Sequence, residues 1–402
     1  MDILAQHGFG NGQRIERGLN EGLIGGVIFG AKDIAPSKLA DTLAAIAEEH
    51  PNSIRLFDPQ FYATMIAAKA GARLGSLRGE EGEDFYPYFE ARRRRDLERE
   101  QQVIDDLESI LQFQAELPVT ALIAPNIVIQ RSFDSVEATI SKNFLRNAAR
   151  VRNEVGEGLP LYATLAVSSA ALNDRIELQN FLQEITEIDD PPDGFYLLLE
   201  KPDTTIPATL TEPDVLSRWM LMNHTLKLNG FRVVNGYADV LAPYLGAAGA
   251  DAIASGWYNT LKTFSLKKFE PVSDFARRPV ARYTSRPLLK SIRCTELHDL
   301  RDRFPVMNGL PCDGYYDPEN GSAPESIEEA LQNWECLGAM RELVVPSDVP
   351  ASLDLCRQAL DEAEELFVSI GDYGLTMRDR SSGAHVEMIR EELSAFSELA
   401  EL

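Results

Sequence analysis

Between Gly25 and Tyr283 the sequence repeats one unit eight times: a short apolar segment, a polar turn, and a longer segment with apolar residues at helical spacing. This alternation predicts strands followed by helices, and eight consecutive units predict an α/β fold, a (β/α)8 TIM-type barrel. The predicted strands are Gly25–Phe29, Ser53–Phe57, Thr120–Ala124, Leu161–Leu165, Gly194–Leu199, Phe231–Asn235, Ala252–Ser255 and Ala281–Tyr283. Because such barrels place their chemistry at the carboxyl ends of the strands, the prediction also indicates where a site would lie.

The repeat is interrupted after the second predicted strand and stops before the chain does. An insertion at about 71–117 is glycine-rich and charged, and it ends in a long polar helix predicted at about Glu90–Leu117. Long βα loops of this kind are often lids or walls of a site. Residues 1–21 lack the repeat and are predicted to form an arm that closes the barrel bottom. We therefore predict a barrel over residues 1–293 and an acidic helical C-terminal subdomain over 294–402.

The charge balance excludes some classes of partner. The formal net charge of −24 argues against a general nucleic-acid coat or a protein that binds anionic membranes. No apolar run approaches the roughly 20 residues needed to span a bilayer. The first seven residues lack the basic and apolar regions of a signal peptide. These features predict a cytoplasmic protein that does not contact a membrane.

Metal and cofactor motifs are missing from the sequence. Its four cysteines and five histidines are widely spaced, without a C-x-x-C or an H-x-x-x-H pair. The cysteines are Cys294, Cys312, Cys336 and Cys356. The glycine-rich phosphate loops of nucleotide-binding proteins and the G-x-S-x-G elbow of hydrolases are also absent. We expect neither a metal nor a cofactor.

Polar side chains follow most of the predicted strands. Asp33 and Asp58 follow neighbouring strands and would suit an acid/base pair, although both could instead cap turns or helices. Glu200 either orients another group or begins a solvated loop, and Trp257 either stacks on a planar ligand or packs internally. The residues predicted to bind a substrate are Asn126, Glu200, Asn235, Ser255 and Trp257.

One segment is basic in an otherwise acidic chain. Residues 261–293 contain nine lysines and arginines against two acids. In a barrel this late segment lies where phosphate is often bound, so it predicts contacts with a phosphate, a nucleotide or a nucleic-acid backbone. The alternative is a basic stripe that docks the acidic C-terminal helices or an acidic partner. The predicted phosphate-binding residues are Lys262, Lys267, Lys268, Arg282 and Arg286.

Two short motifs carry a family resemblance. The segment 249–257, Gly-Ala-Asp-Ala-Ile-Ala-Ser-Gly-Trp, with the basic segment after it, resembles the corresponding strand and loop of tRNA-guanine transglycosylases and their DNA-directed deazaguanine relatives. The segment 57–62, Phe-Asp-Pro-Gln-Phe-Tyr, is similar to an early strand end of the DNA-associated relatives. The resemblance follows the order of the barrel over roughly residues 20–293. It implies a barrel that handles a guanine-like base on nucleic acid through an aspartate nucleophile.

The chain departs from that family at three places. The second aspartate of the family's nucleophile strand falls at Ala254, the zinc-binding cysteines are absent, and so is a D-S-G-G-F-type motif for base recognition. The resemblance therefore implies a zinc-less relative in which Asp58 or Asp251 has taken the carboxylate's role. Relatives of this barrel also occur in bacterial antiphage operons beside deazaguanine enzymes.

Our leading hypothesis from the sequence is a barrel that binds or exchanges a guanine or 7-deazaguanine-type base on tRNA, DNA or a nucleotide. Asp58 would be the nucleophile or base-recognition carboxylate, with Asp33 as its partner. One alternative is an inactive barrel that docks a protein partner through its helical C-terminal subdomain. Another is a barrel enzyme for a small phosphorylated substrate. The sequence does not indicate an oligomeric state.

Overall fold

The chain folds into a nearly closed barrel of eight parallel strands, which confirms the predicted fold class. The computed structural model describes residues 1–10, 13–68, 72–79, 84–155, 158–201, 212–271, 280–303, 325–378 and 381–402. Its strands are β1 (Asp2–Gln6), β2 (Gly26–Gly30), β3 (Ile54–Asp58), β4 (Leu122–Ala124), β5 (Val128–Ile129), β6 (Leu161–Ser168), β7 (Gly194–Glu200), β8 (Arg232–Asn235), β9 (Ala252–Ser255), β10 (Arg282–Ser285) and β11 (Lys290–Arg293).

The barrel strands follow the order β3-β2-β1-β9-β8-β7-β6-β4, and the short β5 pairs with β6. Between β3 and β4 the ring is joined by hydrogen bonds between Arg55 and Thr120. The Thr120 amide donates to the Arg55 carbonyl at 2.9 Å, and the Arg55 amide donates to Thr120 Oγ1 at 2.9 Å. The strands are apolar along nearly their whole length because one face fills the barrel and the other packs against helices.

Thirteen α-helices are described around and after the barrel. They are α1 (Gln13–Asn20), α2 (Pro36–Glu49), α3 (Arg94–Leu97), α4 (Glu100–Ala115), α5 (Val136–Val155), α6 (Arg175–Thr186), α7 (Val215–Leu228), α8 (Ala242–Ala247), α9 (Asn259–Lys262), α10 (Cys294–Arg303), α11 (Ser326–Ala339), α12 (Val349–Asp372) and α13 (Ala384–Leu399). Pro36 stands at the first position of α2, where its missing N–H costs no helical hydrogen bond.

Each of the first seven predicted strands lies one position further around the barrel than predicted, because an additional strand precedes them. Residues 1–21 do not form an arm; they supply β1, which pairs in parallel with both β2 and β9, and then α1. The predicted eighth strand at Ala281–Tyr283 lies outside the barrel, where β10 pairs antiparallel with β11. The insertion therefore follows the third barrel strand, and its long helix is split into α3 and α4.

The helices after residue 293 pack onto the barrel. Trp334 of α11 is fully buried against Gly18 of α1, where a Cβ atom would come within 2.9 Å of its ring. The Glu392 carboxylate of α13 accepts backbone N–H bonds from Asp214 at 2.5 Å and Ser217 at 2.7 Å, at the start of α7. Carboxylates at a helix N-terminus satisfy its unpaired amides and complement its dipole. The barrel thus shares one hydrophobic core with α11, α12 and α13, whereas α10 and the β10–β11 hairpin form a second, smaller cluster with Ile370.

Candidate active site at the carboxyl end of the barrel

Asp58 ends β3 and is almost completely buried, with 1% of its surface exposed. Its Oδ1 accepts the Gln60 amide at 2.8 Å, and its Oδ2 accepts the Tyr62 hydroxyl at 2.8 Å and the Tyr196 hydroxyl at 3.4 Å. Burial raises the pKa of Asp58, while the hydrogen bonds from Tyr62 and Gln60 and the charge of Lys268 oppose that rise. The carboxyl group is therefore held in one orientation at the position where barrel enzymes carry their chemistry.

Lys268 places an amine in the same buried region. Its Nζ donates to the Tyr237 hydroxyl at 2.6 Å and lies 4.3 Å from the centroid of that ring and 4.9 Å from the Phe269 ring. Burial lowers the pKa of Lys268 to about 8, and the charges of Asp33 and Asp58 work against this shift. An amine with a pKa near 8 can act as both acid and base close to neutral pH.

A segment after β9 carries Lys268 across the end of the barrel. Phe264 forms a parallel bridge with Glu200, and its carbonyl accepts the Lys201 amide at 2.9 Å. The Phe264 ring meets the Tyr62 ring edge-on, with centroids 4.8 Å apart. Because Tyr62 binds Asp58, and Phe264 and Phe269 flank Lys268, the carboxyl group and the amine share one aromatic enclosure. We call Asp58, Lys268, Tyr62, Tyr196 and Tyr237 the Asp58 centre.

Asp33 and Lys32 follow β2 at the edge of this region. Asp33 does not cap α2, because the N-cap position is Ala35 and carries no side-chain hydrogen bond. Burial raises the pKa of Asp33 and lowers that of Lys32, and each charge partly offsets the shift of the other. The capping alternative thus fails for Asp33. The capping alternative is correct for Asp58, whose Oδ1 caps a turn by accepting the Gln60 amide.

Asn126 and Asn235 are buried and use their amides within the scaffold. Asn126 Nδ2 donates to the Thr164 carbonyl at 2.8 Å and to Ser141 Oγ at 3.0 Å. Asn235 Nδ2 donates to Asn223 Oδ1 at 2.7 Å, which fixes β8 to α7. These bonds account for both residues as connections between strands and helices, and neither contacts the Asp58 centre through a described hydrogen bond.

Ser255 and Lys262 join the barrel to α11. Ser255 Oγ donates to Asp239 Oδ1 at 2.9 Å. Lys262 Nζ donates to Asn333 Oδ1 at 2.9 Å and lies 3.6 Å from Asp239 Oδ1, and the lysine side chain is 3% exposed. The Trp334 indole N–H donates to the Ser255 carbonyl at 2.9 Å. This placement does not support phosphate binding by Lys262, because its ammonium is already held inside the protein.

The remaining predicted phosphate ligands are dispersed. Arg282 is buried and donates through Nη2 to the Ser291 carbonyl at 2.9 Å. Arg286 pairs with Glu342 at 2.5 Å, between the β10–β11 hairpin and the end of α11. Lys267 is exposed, and its neighbour Lys268 points into the Asp58 centre. Within the described part of the basic segment, Lys262 and Arg286 thus bind α11 and the turn that follows it, whereas Lys268 does not.

Trp257 and Glu200 lie near the mouth of the barrel without touching Asp58 in a described contact. Trp257 is 2% exposed and packs edge-on against His7 and Trp334, with the Arg14 guanidinium 5.0 Å from its ring centroid. These contacts correspond to packing. Glu200 is half-buried, and burial raises its pKa.

Four residues in or beside the Asp58 centre were not predicted as site residues from the sequence: Tyr62, Tyr196, Tyr237 and Gln6. The Oε1 atom of Gln6 lies 3.5 Å from the Tyr196 hydroxyl. Tyr62 reaches Asp58 across a turn in which Gln60 has φ +53°, followed by a 3₁₀ helix at Phe61–Met65, and the spacing in the sequence does not indicate this geometry. Tyr196 carries a hydroxyl in the middle of an apolar strand, and a buried hydroxyl needs a partner. That signal was present in the sequence.

Compared with known proteins, the sequence matches no family model and no curated protein. Within the described residues no three histidine, cysteine or acidic side chains are grouped to hold a metal ion, and Cys312 lies outside them. In the same part of the chain, no helix has the length and apolar character needed to cross a membrane.

Proposed function

We propose that the protein is an enzyme whose active site is the Asp58 centre, and that it exchanges or transfers a guanine-type base of a nucleoside or nucleotide. One observation carries the proposal: a fully buried carboxyl group and a buried amine share an aromatic enclosure at the carboxyl end of the barrel. Titratable groups displaced from their ordinary pKa by burial and by each other are typical of active sites.

The groups present suit the steps of a base exchange. A carboxylate can attack a sugar carbon to form a covalent glycosyl-enzyme intermediate, and a neighbouring ammonium can protonate the departing base. Here Asp58 would attack and Lys268 would give up the proton, and the aromatic rings of Tyr62 and Phe264 enclose both groups. Ala254, at the position of the family's nucleophile, is fully buried and has no group for this chemistry.

The positions of the basic residues favour a small ligand over a polynucleotide. Lys262 and Arg282 are engaged inside the protein, and Arg286 pairs with Glu342. A long phosphate backbone would need a row of exposed cations, which these residues do not provide. A free base and a nucleoside or mononucleotide are therefore the substrates that we propose.

The proposal is tested by following exchange of radiolabelled guanine or 7-deazaguanine into guanosine, GMP, tRNA and duplex DNA. Asp58→Asn retains an oxygen for the Gln60 amide but removes the nucleophile, so exchange should fall by at least about 10³-fold. Asp134→Asn, which removes one exposed carboxylate that is not part of the Asp58 centre, is the matched control and should keep full activity. Circular dichroism would verify that both variants are folded. Unchanged turnover in Asp58→Asn would remove Asp58 from the mechanism.

A further inference from the structure

A cavity lies beside the Asp58 centre, between the first two βα units of the barrel. It has a volume of about 820 Å³, within the range of small-molecule sites. Its walls come from α1, α2 and the residues that follow β1 and β2. The apolar part of the wall is made by Phe9, Ile15, Leu19, Phe29, Ile34 and Ile46.

Phe9 stands at the rim of this cavity with 81% of its surface exposed. A large aromatic side chain left in water is costly, at about 25 cal/mol for each Å² of apolar surface. Isolated exposed aromatics occur on many proteins, but this one borders a cavity that already has an apolar wall. A ligand in the cavity would cover part of the ring.

The polar end of the cavity contains charged groups without partners. The Lys32 ammonium and the Asp33 carboxylate both line it and are half-buried. Among the described residues neither side chain makes a hydrogen bond or an ion pair within 4 Å; Lys32 Nζ lies 5.7 Å from the Phe269 ring centroid. His7 also lines the cavity, is 5% exposed, and has no hydrogen-bond partner at Nδ1. Half-buried charges normally find partners, so this end is suited to bind polar groups of a ligand.

The backbone holds this end of the cavity in place. Gly75 has φ +53°, and a Cβ atom there would lie 2.2 Å from the Lys32 carbonyl oxygen. Only glycine allows such a close approach together with a positive φ. The Ser76 amide donates to the same oxygen at 3.1 Å, which fixes the backbone of Lys32. The backbone position from which the Lys32 side chain extends is thus set before any ligand arrives, which lowers part of the entropic cost of binding.

We propose that this cavity is a binding site for a small aromatic molecule that carries an anionic group and an N–H or O–H donor. The anionic oxygen would pair with Lys32, the donor would bind Asp33, and the flat apolar body would lie between Phe9, Phe29 and Ile46. The site is separate from the Asp58 centre, and the proposal holds whether or not that centre exchanges a base.

The probe for the test is 1-anilinonaphthalene-8-sulfonate, which combines a sulfonate, an N–H and two apolar ring systems. Its fluorescence is titrated with the full-length chain and its variants. Ala45 is exposed on α2 and lines the cavity, so the larger side chain of Ala45→Trp should occupy part of it and weaken binding by about 10-fold or more. Ala44→Trp, on the adjacent exposed position of the same helix but outside the cavity, should bind as the wild type does.

Lys32→Gln tests the polar end and should also weaken binding of the probe by about 10-fold, because the charge-assisted hydrogen bond to the sulfonate is lost. Competition provides a second readout. Indole-3-acetate should displace the probe at a concentration at least about 10-fold lower than its uncharged methyl ester. Equal binding of the probe by wild type and Ala45→Trp, or by wild type and Lys32→Gln, would overturn the proposal. Equal displacement by acid and ester would do the same.

Discussion

Asp58 and Lys268 are shifted in opposite directions by one cause, their removal from water. Burial raises the pKa of the acid and lowers that of the amine, so both approach the neutral range. Their nearest hydrogen-bond partners are tyrosine hydroxyls and not each other. Burial also raises the pKa of Tyr62, Tyr196 and Tyr237 far above the ordinary value, so these hydroxyls keep their protons and remain donors. Such an arrangement keeps the two groups chemically available, whereas a close ion pair would fix both charges.

The burial of Lys268 predicts a pH dependence of stability. In the unfolded chain its pKa is 10.5, and in the folded protein it is about 8. Between these values the unfolded state binds more protons, so raising the pH favours the folded state. Relative to Lys268→Met, the wild type should gain up to about 3 kcal/mol of unfolding free energy between pH 8 and 10.5. Urea unfolding at pH 7.5, 8.5 and 9.5 measures this difference.

Lys267→Met is the control for that experiment because it changes an exposed side chain of the same turn. Its pH profile should match that of the wild type. A constant difference between wild type and Lys268→Met at all three pH values would contradict the burial of an ionisable amine at this position.

The sequence indicated single residues where a polar group directly follows a strand. Asp58 was identified in this way, because an aspartate that follows an apolar strand can be recognised in the sequence without knowledge of the fold. The partners of Asp58 were not identified, because Tyr196 looks like any β-forming aromatic until its strand is placed opposite β3. Lys262 and Arg282 looked like anion ligands because a sequence shows their charge but not the side chains that they meet.

At the scale of elements, local pattern identified strands but not their pairing. Seven of the eight predicted barrel strands are correct to within one to three residues. β1 was missed because its apolar core is three residues long, Ile3 to Ala5, and a glycine-rich segment follows it. β10 was taken for a barrel strand because Arg282–Ser285 has strand-forming residues, and its antiparallel partner β11 follows after a short turn. Pairing depends on distant segments and is therefore invisible to a local pattern.

The contact between α11 and the barrel predicts an energetic coupling. Asn333 Oδ1 accepts both Lys262 Nζ and the Thr284 hydroxyl, so Asn333→Leu would remove the hydrogen-bond acceptor of the buried Lys262 ammonium and leave it with Asp239 Oδ1 at 3.6 Å. We expect a loss of about 3 kcal/mol in unfolding free energy. In the double variant Lys262→Met/Asn333→Leu the ammonium is gone, but the buried Asp239 carboxylate loses its cation. Because the Lys262–Asn333 hydrogen bond can be lost only once, the combined loss should be smaller than the sum of the two single losses. Urea unfolding of the wild type, the two single variants and the double variant measures the coupling; additive losses would contradict it.

At the scale of the whole molecule, the barrel and the helices α11, α12 and α13 share one continuous core. Trp334 packs against Trp257, α13 packs along α7, and the Glu392 carboxylate binds the first amides of that helix. Unfolding the C-terminal helices alone would expose Trp334 and leave Lys262 without its acceptor. That step would also destabilise the barrel, because the same contacts stabilise β9 and α1. This argues for cooperative unfolding of the two parts.

That cooperativity can be measured with single tryptophans, since the chain has three. A Trp219→Phe/Trp257→Phe variant retains Trp334 and reports on α11, whereas a Trp257→Phe/Trp334→Phe variant retains Trp219 and reports on α7 of the barrel. In each variant the fluorescence transition in urea should coincide with the transition of the far-ultraviolet circular dichroism, because loss of α11 removes the buried contacts of β9 and α1. If Trp334 became exposed at a lower urea concentration than that at which the dichroism of the same variant changes, the C-terminal helices would unfold before the barrel, and the shared core would not couple them.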